Sequence, residues 1–233
     1  MKKKSSLLRG TFVKRYKRFI AEVRLESGET VIAHCPNSGS MKSCLGEGWP
    51  VVVSHHPDPK RWTQYTLELI HNGKCWIGIN THDANRIARH AIEKGRIPQL
   101  AGFDEIRGEV PYGRNSRVDF LLKKGETLCY VEVKNVTLVE DGIFMFPDSI
   151  TERGQKHLDE LVKVRKAGHS AVMLFLIQRT DGKGFAPAEH IDPVYARKLR
   201  RAHKAAVEII PLVVRVSPSG FKIKGPIEFS LES

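Results

Sequence analysis

The chain has 233 residues, 41% of them hydrophobic, which is enough for one large domain or two small ones with a real core and excludes overall disorder. It contains 38 Lys and Arg against 26 Asp and Glu, so its formal net charge at pH 7 is +12. This excess of positive charge suits a polyanionic partner such as nucleic acid or, less often, an anionic membrane.

A membrane span and a secretory leader are both unsupported by the sequence. No apolar run approaches the roughly 18 to 20 residues that cross a bilayer. The basic start at residues 1–4 is followed by Arg9 and Lys14 rather than by the apolar core of a signal peptide. We therefore predict a cytoplasmic protein with no membrane partner.

The cysteines lack the short paired spacing of structural zinc sites, and the chain is not a small secreted scaffold. Reduced thiols are therefore expected. The alternative is a zinc ion, although the spacing of its candidate ligands matches no common pattern. Those candidates are His34, Cys35, Cys44, His55 and His56.

The first eighty or so residues predict short β-strands separated by turns. Apolar and polar residues alternate over residues 19–25, and a Ser27-Gly28 turn leads to a returning strand at 30–34, which is the pattern of a hairpin. Three further strand-like runs follow, at residues 50–54, 63–70 and 74–79. Five or six strands in a basic module of this size predict a small barrel of the OB type.

The pattern changes to helical beyond residue 82, where a stripe of apolar residues predicts a helix over 83–95. Further helices are predicted at 151–167 and 193–206, and apolar strands at 171–177 and 209–216 alternate with them. This alternation predicts an α/β domain with a mixed sheet. We place the boundary near Thr81, which gives an all-β, OB-like barrel over residues 1–81 and an α/β domain over residues 82–233.

Two adjacent strands near the middle of the chain carry charges that apolar strands do not need. The period of two places Val118 and Phe120 on one face of the first strand and Asp119 on the other. The same period places Glu132 and Lys134 together on one face of the second strand. Because such charges are costly when buried alone, a metal ion, a phosphate or mutual pairing is expected.

An Asp, twelve intervening residues and Glu-x-Lys form the PD-(D/E)xK nuclease pattern, in which two carboxylates hold a divalent cation. We predict Asp119 and Glu132 as ligands of Mg²⁺ or Mn²⁺, since phosphodiester hydrolysis needs a cation that neutralises charge and generates hydroxide. Lys134 would position or activate the attacking water and stabilise negative charge in the transition state. The alternative is an ordinary ion pair on a solvated strand.

Gln155 is a polar residue on the apolar side of the helix predicted at 151–167, and we predict it as a further catalytic residue. The alternative is that Gln155 satisfies backbone groups in the first helical turn. A third carboxylate would come from Glu93 or Glu109, although the helical wheel favours an ion pair with a neighbouring arginine for Glu93.

Basic and aromatic residues are interleaved near the N-terminus. The predicted nucleic-acid-binding residues are Arg15, Tyr16, Lys17, Arg18 and Phe19. Aromatic rings can stack on bases while Lys and Arg follow the phosphates, which gives affinity with little sequence preference. A second basic cluster on the helix at 193–206 is interpreted as a solvated face. The turn-rich segment 34–41 exposes amides that can receive a phosphate, but ordinary turns have the same composition.

Five segments, in order along the chain, resemble the sugar fermentation stimulation protein family, SfsA. They are RYKRF at 15–19, HCPNSGSM at 34–41, SRVDF at 116–120, VEVKNVT at 131–137 and FPDSITERGQKHL at 146–158. The resemblance implies a bacterial or archaeal cytoplasmic protein with an N-terminal OB-like domain and a C-terminal nuclease-like domain. It also implies non-specific DNA binding and a proposed regulatory role in maltose or other sugar metabolism.

The leading hypothesis is a DNA-binding protein of little sequence specificity whose second domain is a metal-dependent nuclease. One alternative is a DNA-binding regulatory factor of sugar metabolism that does not cleave. A second alternative is a nuclease that acts on RNA, because the features that read a 2′-hydroxyl are not visible in a sequence.

Overall fold

The computed structural model describes residues 6–113 and 116–232; the basic start at residues 1–4 lies outside them. In the described part of the chain, no helix has the length and apolar character needed to cross a bilayer.

The N-terminal strands form a closed barrel, as predicted. They are β1 (Ser6–Tyr16), β2 (Ile20–Leu25), β3 (Thr30–His34), β4 (Pro50–His55), β5 (Tyr65–His71) and β6 (Trp76–Gly78). The sheet order is β3-β2-β1-β4-β5-β6, and a parallel pairing of β3 with β5 closes the sheet. Strand β1 pairs with β4 along its first half and with β2 along its second. Gly10 lies where the two ladders overlap, and a Cβ there would meet the Arg24 carbonyl oxygen at 2.5 Å.

The barrel core is apolar, with Val23, Val53 and Leu67 fully buried. The thiol-bearing Cys35 and Cys44 belong to the same core. The histidines considered beside them as zinc ligands have other contacts: His34 stacks on Phe19 and His55 on Tyr65, while the His56 Nε2 atom lies 2.7 Å from Ser54 Oγ.

The C-terminal domain has a mixed sheet, also as predicted, and its helices lie on both faces of that sheet. Its helices are α1 (His82–Glu93), α2 (Glu152–Lys166) and α3 (Pro193–Lys204). Its main strands are β7 (Glu105–Tyr112), β8 (Ser116–Lys124), β9 (Thr127–Val136), β12 (Ser170–Ile177), β14 (Glu208–Ser217) and β15 (Gly220–Pro226). Their order is β15-β14-β12-β9-β8-β7, with β9, β12 and β14 parallel to one another.

A small second sheet was not predicted from the sequence. It is formed by β10 (Leu138–Glu140), β11 (Ile143–Phe146) and β13 (Gly184–Pro187), strands of only three or four residues, too short to show a period.

Two apolar clusters fix the sheet between its helices. On one face, α1 packs through Ile87 and Ala91 against Phe120, Val131 and Leu174. On the other face, α2 and α3 pack through residues that include Leu158 and Leu199 against the opposite sides of β9, β12 and β14. Strand β9 is therefore covered on both faces along its middle, where Glu132 is buried.

Candidate active site

Asp119 lies where strand β8 separates from strand β9. The two strands pair from Phe120 to Lys124 of β8 and no further towards its start. The Asp119 carboxylate takes the place of the missing ladder partner, since its Oδ2 accepts the Val133 backbone N–H at 2.7 Å. Its Oδ1 accepts from Asn85 Nδ2 of α1 at 2.7 Å. The fold thus holds this carboxylate at the edge of the α1 face.

This separation also corrects one detail of the predicted strand. Val118 belongs to the cluster under α2, whereas Phe120 and Leu122 belong to the cluster under α1. The predicted common face for Val118 and Phe120 is wrong because the regular alternation does not continue through the point where β8 leaves its neighbour.

Glu132 and Lys134 share one face of β9, as predicted, and that face is turned towards α2. Glu132 is 2% exposed. Lys134 Nζ donates to Glu132 Oε1 at 2.7 Å, and the same oxygen is in hydrogen-bond contact with His157 Nδ1 of α2. Lys134 Nζ is also 3.2 Å from His157 Nδ1. A carboxylate, an ammonium group and an imidazole are thus in mutual contact in a nearly water-free environment.

The two carboxylates have opposite pKa shifts. Burial and the nearby Glu132 charge raise the pKa of Asp119 to about 6. Burial also acts to raise the pKa of Glu132, but the Lys134 charge and the His157 hydrogen bond outweigh it and hold that pKa below its usual value. At neutral pH Glu132 is therefore ionised, and Asp119 becomes fully ionised only near neutrality.

Glu132 has one oxygen to spare for a ligand. Its Oε2 atom is buried and has no hydrogen-bond partner, which is a costly arrangement for an ionised carboxylate. Across residues 6–113 and 116–232, no three His, Cys, Asp or Glu side chains form a preassembled metal cluster. Two carboxylates are nevertheless a fitting set for Mg²⁺, which keeps several waters and takes one or two carboxylates together with substrate phosphate.

Both carboxylates and Lys134 line one cavity of about 350 Å³. The opposite wall comes from the barrel, where Asn37, Ser38 and Gly39 of the segment after β3 face the site. That segment is joined to the C-terminal domain by Asp148, whose Oδ2 accepts the Met41 backbone N–H at 2.9 Å. A Cβ at Gly39 would meet the Asp148 carboxylate at 2.2 Å, so only glycine permits this approach.

Arg15, predicted to bind nucleic acid, forms hydrogen bonds with the barrel segment after β3. Its Nη2 donates to the carbonyl oxygens of Asn37 at 2.7 Å and Gly39 at 3.0 Å, and its Nη1 donates to that of Ser40 at 3.1 Å. Its Nε donates to the Arg18 carbonyl oxygen at 2.7 Å. Arg15 therefore positions the cavity wall.

The other predicted nucleic-acid-binding residues lie at the surface. Tyr16 is 36% and Phe19 47% exposed, and Lys17 and Arg18 form the exposed turn between β1 and β2. Both turn residues have positive φ, 49° and 60°, so the chain reverses sharply there. Their side chains are available to a partner.

Gln155 is not part of the cavity wall. Its Nε2 donates to both carboxylate oxygens of Asp192, at 3.0 and 3.1 Å, and Asp192 caps the start of α3 by accepting the Tyr195 N–H. Neither the predicted catalytic role nor the alternative of satisfying backbone groups describes this contact, which joins α2 to α3. The helix is covered on two sides, by the sheet and by α3, so its buried stripe is wider than one helical period indicates.

The candidates for a third carboxylate also lie elsewhere. Glu93 Oε1 accepts from Arg89 Nε at 2.8 Å on the exposed side of α1, which is the ion pair that the helical wheel favoured. Glu109, exposed and with a φ of 53°, lines an open groove of about 1010 Å³ rather than the cavity. Arg153 and His157 line both the groove and the cavity, so the two spaces adjoin.

Sequence reasoning missed three side chains in or around the site: Asn85, Asp148 and His157. The segment 146–158 was singled out, and His157 lies two residues beyond Gln155 on α2. Its position in the helix gave no specific signal, because a single histidine among charged residues is common on solvated helices. Nothing in the sequence indicated that Asn85 would contact Asp119 from a different element.

The family comparisons agree with this architecture. Residues 13–79 match the SfsA N-terminal OB domain, and residues 82–220 match the sugar fermentation stimulation protein RE domain. The sugar fermentation stimulation protein homolog of Geotalea uraniireducens is 52% identical over 221 residues, 95% of this chain and 96% of that protein. The homolog of Geobacter sulfurreducens is 51% identical over 217 residues, 93% of each chain.

A solved structure extends the comparison to three dimensions. SfsA of Pyrococcus furiosus in complex with Ca²⁺ superposes with a TM-score of 0.88 at 28% identity, over 99% of both chains. The OB barrel, the mixed sheet with its helices and the sequence similarity along nearly the whole length lead to one conclusion. The chain belongs to the sugar fermentation stimulation protein family, SfsA.

Proposed function

We propose that the chain binds DNA with little sequence specificity and that its C-terminal domain hydrolyses phosphodiester bonds with Mg²⁺ or Mn²⁺ held by Asp119 and Glu132. One observation carries the proposal: these two carboxylates and Lys134 meet in one cavity, and a Glu132 oxygen is buried there without a partner. A protein that only bound DNA would gain nothing from two carboxylates beside a phosphate backbone that they repel.

A divalent cation is supported by the chemistry of the site and by the relative from Pyrococcus furiosus, whose structure contains Ca²⁺. When bound, such a cation neutralises charge on the scissile phosphate and supplies hydroxide at neutral pH. Asp119 and Glu132 would hold it. The raised pKa of Asp119 fits this role, because a carboxylate that is costly to ionise alone gains most from a cation beside it.

Lys134 is the residue that would act on the phosphate. An ammonium group has three N–H donors, and one of them donates to Glu132 Oε1; His157 Nδ1 directs its own N–H at the same oxygen and so does not accept from Lys134. A remaining N–H of Lys134 would donate to a phosphate oxygen or to the attacking water, where negative charge grows in the transition state. Arg153, at the junction of cavity and groove, would add positive charge along the path of the backbone.

The test is a cleavage assay with labelled single-stranded and double-stranded DNA and RNA in Mg²⁺, Mn²⁺ or a chelator. We expect cleavage that requires the metal and falls by about 10²-fold or more in Glu132→Gln, which keeps the shape but lacks the charge. Glu93→Gln is the matched control, because Glu93 forms an exposed ion pair on α1. Cleavage of RNA alone would replace DNA by RNA as the substrate.

A regulatory factor that does not cleave is the second candidate. It is favoured by the engagement of Lys134 with Glu132 and by the absence, among the described residues, of a three-ligand metal cluster. Tight, salt-sensitive binding without cleavage of any substrate, in any metal, would establish this candidate and refute the nuclease proposal.

A further inference from the structure

The loop between β4 and β5 carries a second exposed aromatic residue in basic surroundings. Trp62 is 75% exposed, and Lys60 and Arg61 directly precede it. A large apolar ring held in water indicates an interaction surface. The β4–β5 loop thus repeats, in a different part of the sequence, the combination of basic residues and an exposed ring found at residues 17–19.

The two loops lie at the same end of the barrel and are linked indirectly, through residues of β3 and β5. The Phe19 ring stacks on His34, with centroids 6.4 Å apart. His34, at the end of β3, is the register partner of Thr66 on β5. Thr66 Oγ1 accepts from Arg61 Nη2 at 2.9 Å, and Trp62 follows Arg61. We call this surface the barrel-end patch; it consists of Lys17, Arg18, Phe19, His34, Arg61 and Trp62.

One side chain, that of Arg15, connects the barrel-end patch to the wall of the cavity. Arg15 donates to the Arg18 carbonyl oxygen within the patch and to the carbonyl oxygens of Asn37 and Gly39 in the cavity wall. The β4–β5 loop contains one acid, Asp58. Its Oδ1 accepts the backbone N–H of Lys60 at 2.9 Å. The β4–β5 loop thus carries a net positive charge, with Lys60 and Arg61 against Asp58.

We propose that the barrel-end patch binds an unpaired strand of nucleic acid, with bases stacked on Phe19 and Trp62, and leads that strand into the cavity that contains Glu132. This inference rests on the nucleic-acid partner proposed above but not on cleavage. Bases in a duplex are stacked on both faces, so protein rings can stack only on bases that are unpaired or terminal. Arg18 and Arg61 would follow the phosphates beside the two rings.

The cavity supports the same substrate class. Glu132 is 2% exposed and lies between the barrel segment 37–39 and helix α2. At about 350 Å³ the space is near the lower limit of small-ligand pockets, roughly 300 Å³. A single strand is narrow enough to bring a phosphate to Glu132 in such a space.

The test measures binding of a fluorescein-labelled oligonucleotide, single-stranded or folded as a hairpin duplex, in chelator so that no cleavage intervenes. We expect Trp62→Ala to weaken binding of the single strand by about 5-fold to 100-fold and binding of the duplex by about twofold or less. Trp62→Phe should keep most of the affinity because it keeps a ring. Phe221→Ala is the control, since Phe221 is a half-buried ring among basic residues on β15.

Intrinsic fluorescence adds an independent readout. The chain has three tryptophans, so quenching by a single strand that disappears in Trp62→Phe, without loss of affinity, would assign the stacking to Trp62. Unchanged single-strand affinity in Trp62→Ala, or an equal loss for duplex and single strand, would overturn the inference. If the protein cleaves nucleic acid but Trp62→Ala leaves single-strand binding unchanged, the barrel-end patch is refuted and the nuclease proposal stands. If Trp62→Ala weakens binding but no substrate is cleaved, the nuclease proposal is refuted and the patch stands.

Discussion

The junction of the two domains, around Arg179 and Glu132, and the barrel-end patch use charge in opposite ways. At the junction, Arg179 is 1% and Glu132 2% exposed, and each contacts an oppositely charged group at 2.7 Å. At the barrel end, Lys17 and Arg18 are exposed, and within residues 6–113 and 116–232 neither pairs with a carboxylate.

Buried and exposed charges therefore have different effects on this protein. A buried charge interacts strongly and must be satisfied in a fixed geometry, so it determines stability and chemistry. An exposed charge is screened by salt and tolerates many geometries, so it contributes affinity that declines with ionic strength. Substitutions in the two regions should therefore give different signatures.

The largest effect is expected for Arg179→Met. Arg179 Nε and Nη2 donate to Asp181 at 2.7 Å, and Nη1 donates to Ser43 Oγ at 3.0 Å and to the Thr137 carbonyl oxygen. Losing the guanidinium leaves Asp181 without its buried partner and removes a contact between barrel and sheet. We expect the free energy of unfolding in urea to fall by about 3–5 kcal/mol.

Arg200→Met is the matched control for that measurement. Arg200 forms an ion pair with Glu189 nearer the surface, for which a loss of about 1 kcal/mol or less is typical. Equal losses in the two variants would show that the junction does not depend on its buried charge.

Asp119→Asn should stabilise the protein at neutral and alkaline pH but not near pH 4. The pKa of Asp119 is raised from 3.8 to about 6 in the folded state, so the folded state holds the proton more tightly and stability falls as the pH rises from about 4 to 6. Two pKa units correspond to about 3 kcal/mol. The Asn85 amide can turn to keep both hydrogen bonds, so Asn at 119 removes the charge at little other cost.

Urea unfolding in the presence of a chelator, at pH 8 and at pH 4, tests whether the ionised Asp119 carboxylate destabilises the folded state. The gain in Asp119→Asn should approach about 3 kcal/mol at pH 8 and vanish near pH 4. Asp83→Asn serves as the control, since Asp83 pairs with Arg86 at the surface of α1. A gain of equal size at both pH values would contradict the electrostatic explanation.

Arg15→Lys tests the connection between the two regions. Lysine keeps the positive charge but cannot reach the carbonyl oxygens of Asn37, Gly39 and Ser40 together. The cavity wall should shift, and small misplacements reduce rates by up to about 10²-fold. We expect cleavage to fall by about 10-fold to 100-fold and single-strand affinity to change by about threefold or less.

Arg18→Lys is the matched control, because Arg18 is exposed and donates to none of those oxygens. If Arg15→Lys weakened binding as much as cleavage, Arg15 would be a phosphate contact, as its sequence position alone suggested, rather than a positioning residue.

The sequence was sufficient where a local pattern determines the structure. Alternation predicted the hairpin of β2 and β3, and the spacing of Asp119, Glu132 and Lys134 predicted that these residues lie near one another; all three line one cavity. Contacts between distant segments were not predictable. Asp148 accepts from the Met41 backbone across 107 residues, and no local pattern reports that the barrel closes the cavity.

Helix α2 shows the same limit at shorter range. Periodicity identified a buried side but not which neighbour covers it, so Gln155 was assigned to the site whereas it contacts Asp192. His157 is 4% exposed and contacts Glu132, although a lone histidine in a charged helix predicts nothing specific. Trp62 was overlooked because exposure of an aromatic residue in a loop is decided by the fold.

The smallest effect is expected at the barrel end. If Arg18 contacts a phosphate as proposed, Arg18→Ala should lower the slope of log affinity against log salt for a single strand by about 0.7. Arg201→Ala is the control: Arg201 lies on the exposed face of α3 and contacts Asp159, so it should leave the slope unchanged, in keeping with its interpretation as a solvated face. Should both variants lower the slope equally, nucleic acid would contact α3 as well, and exposed charge on this protein would not distinguish the barrel end from the rest of its basic surface.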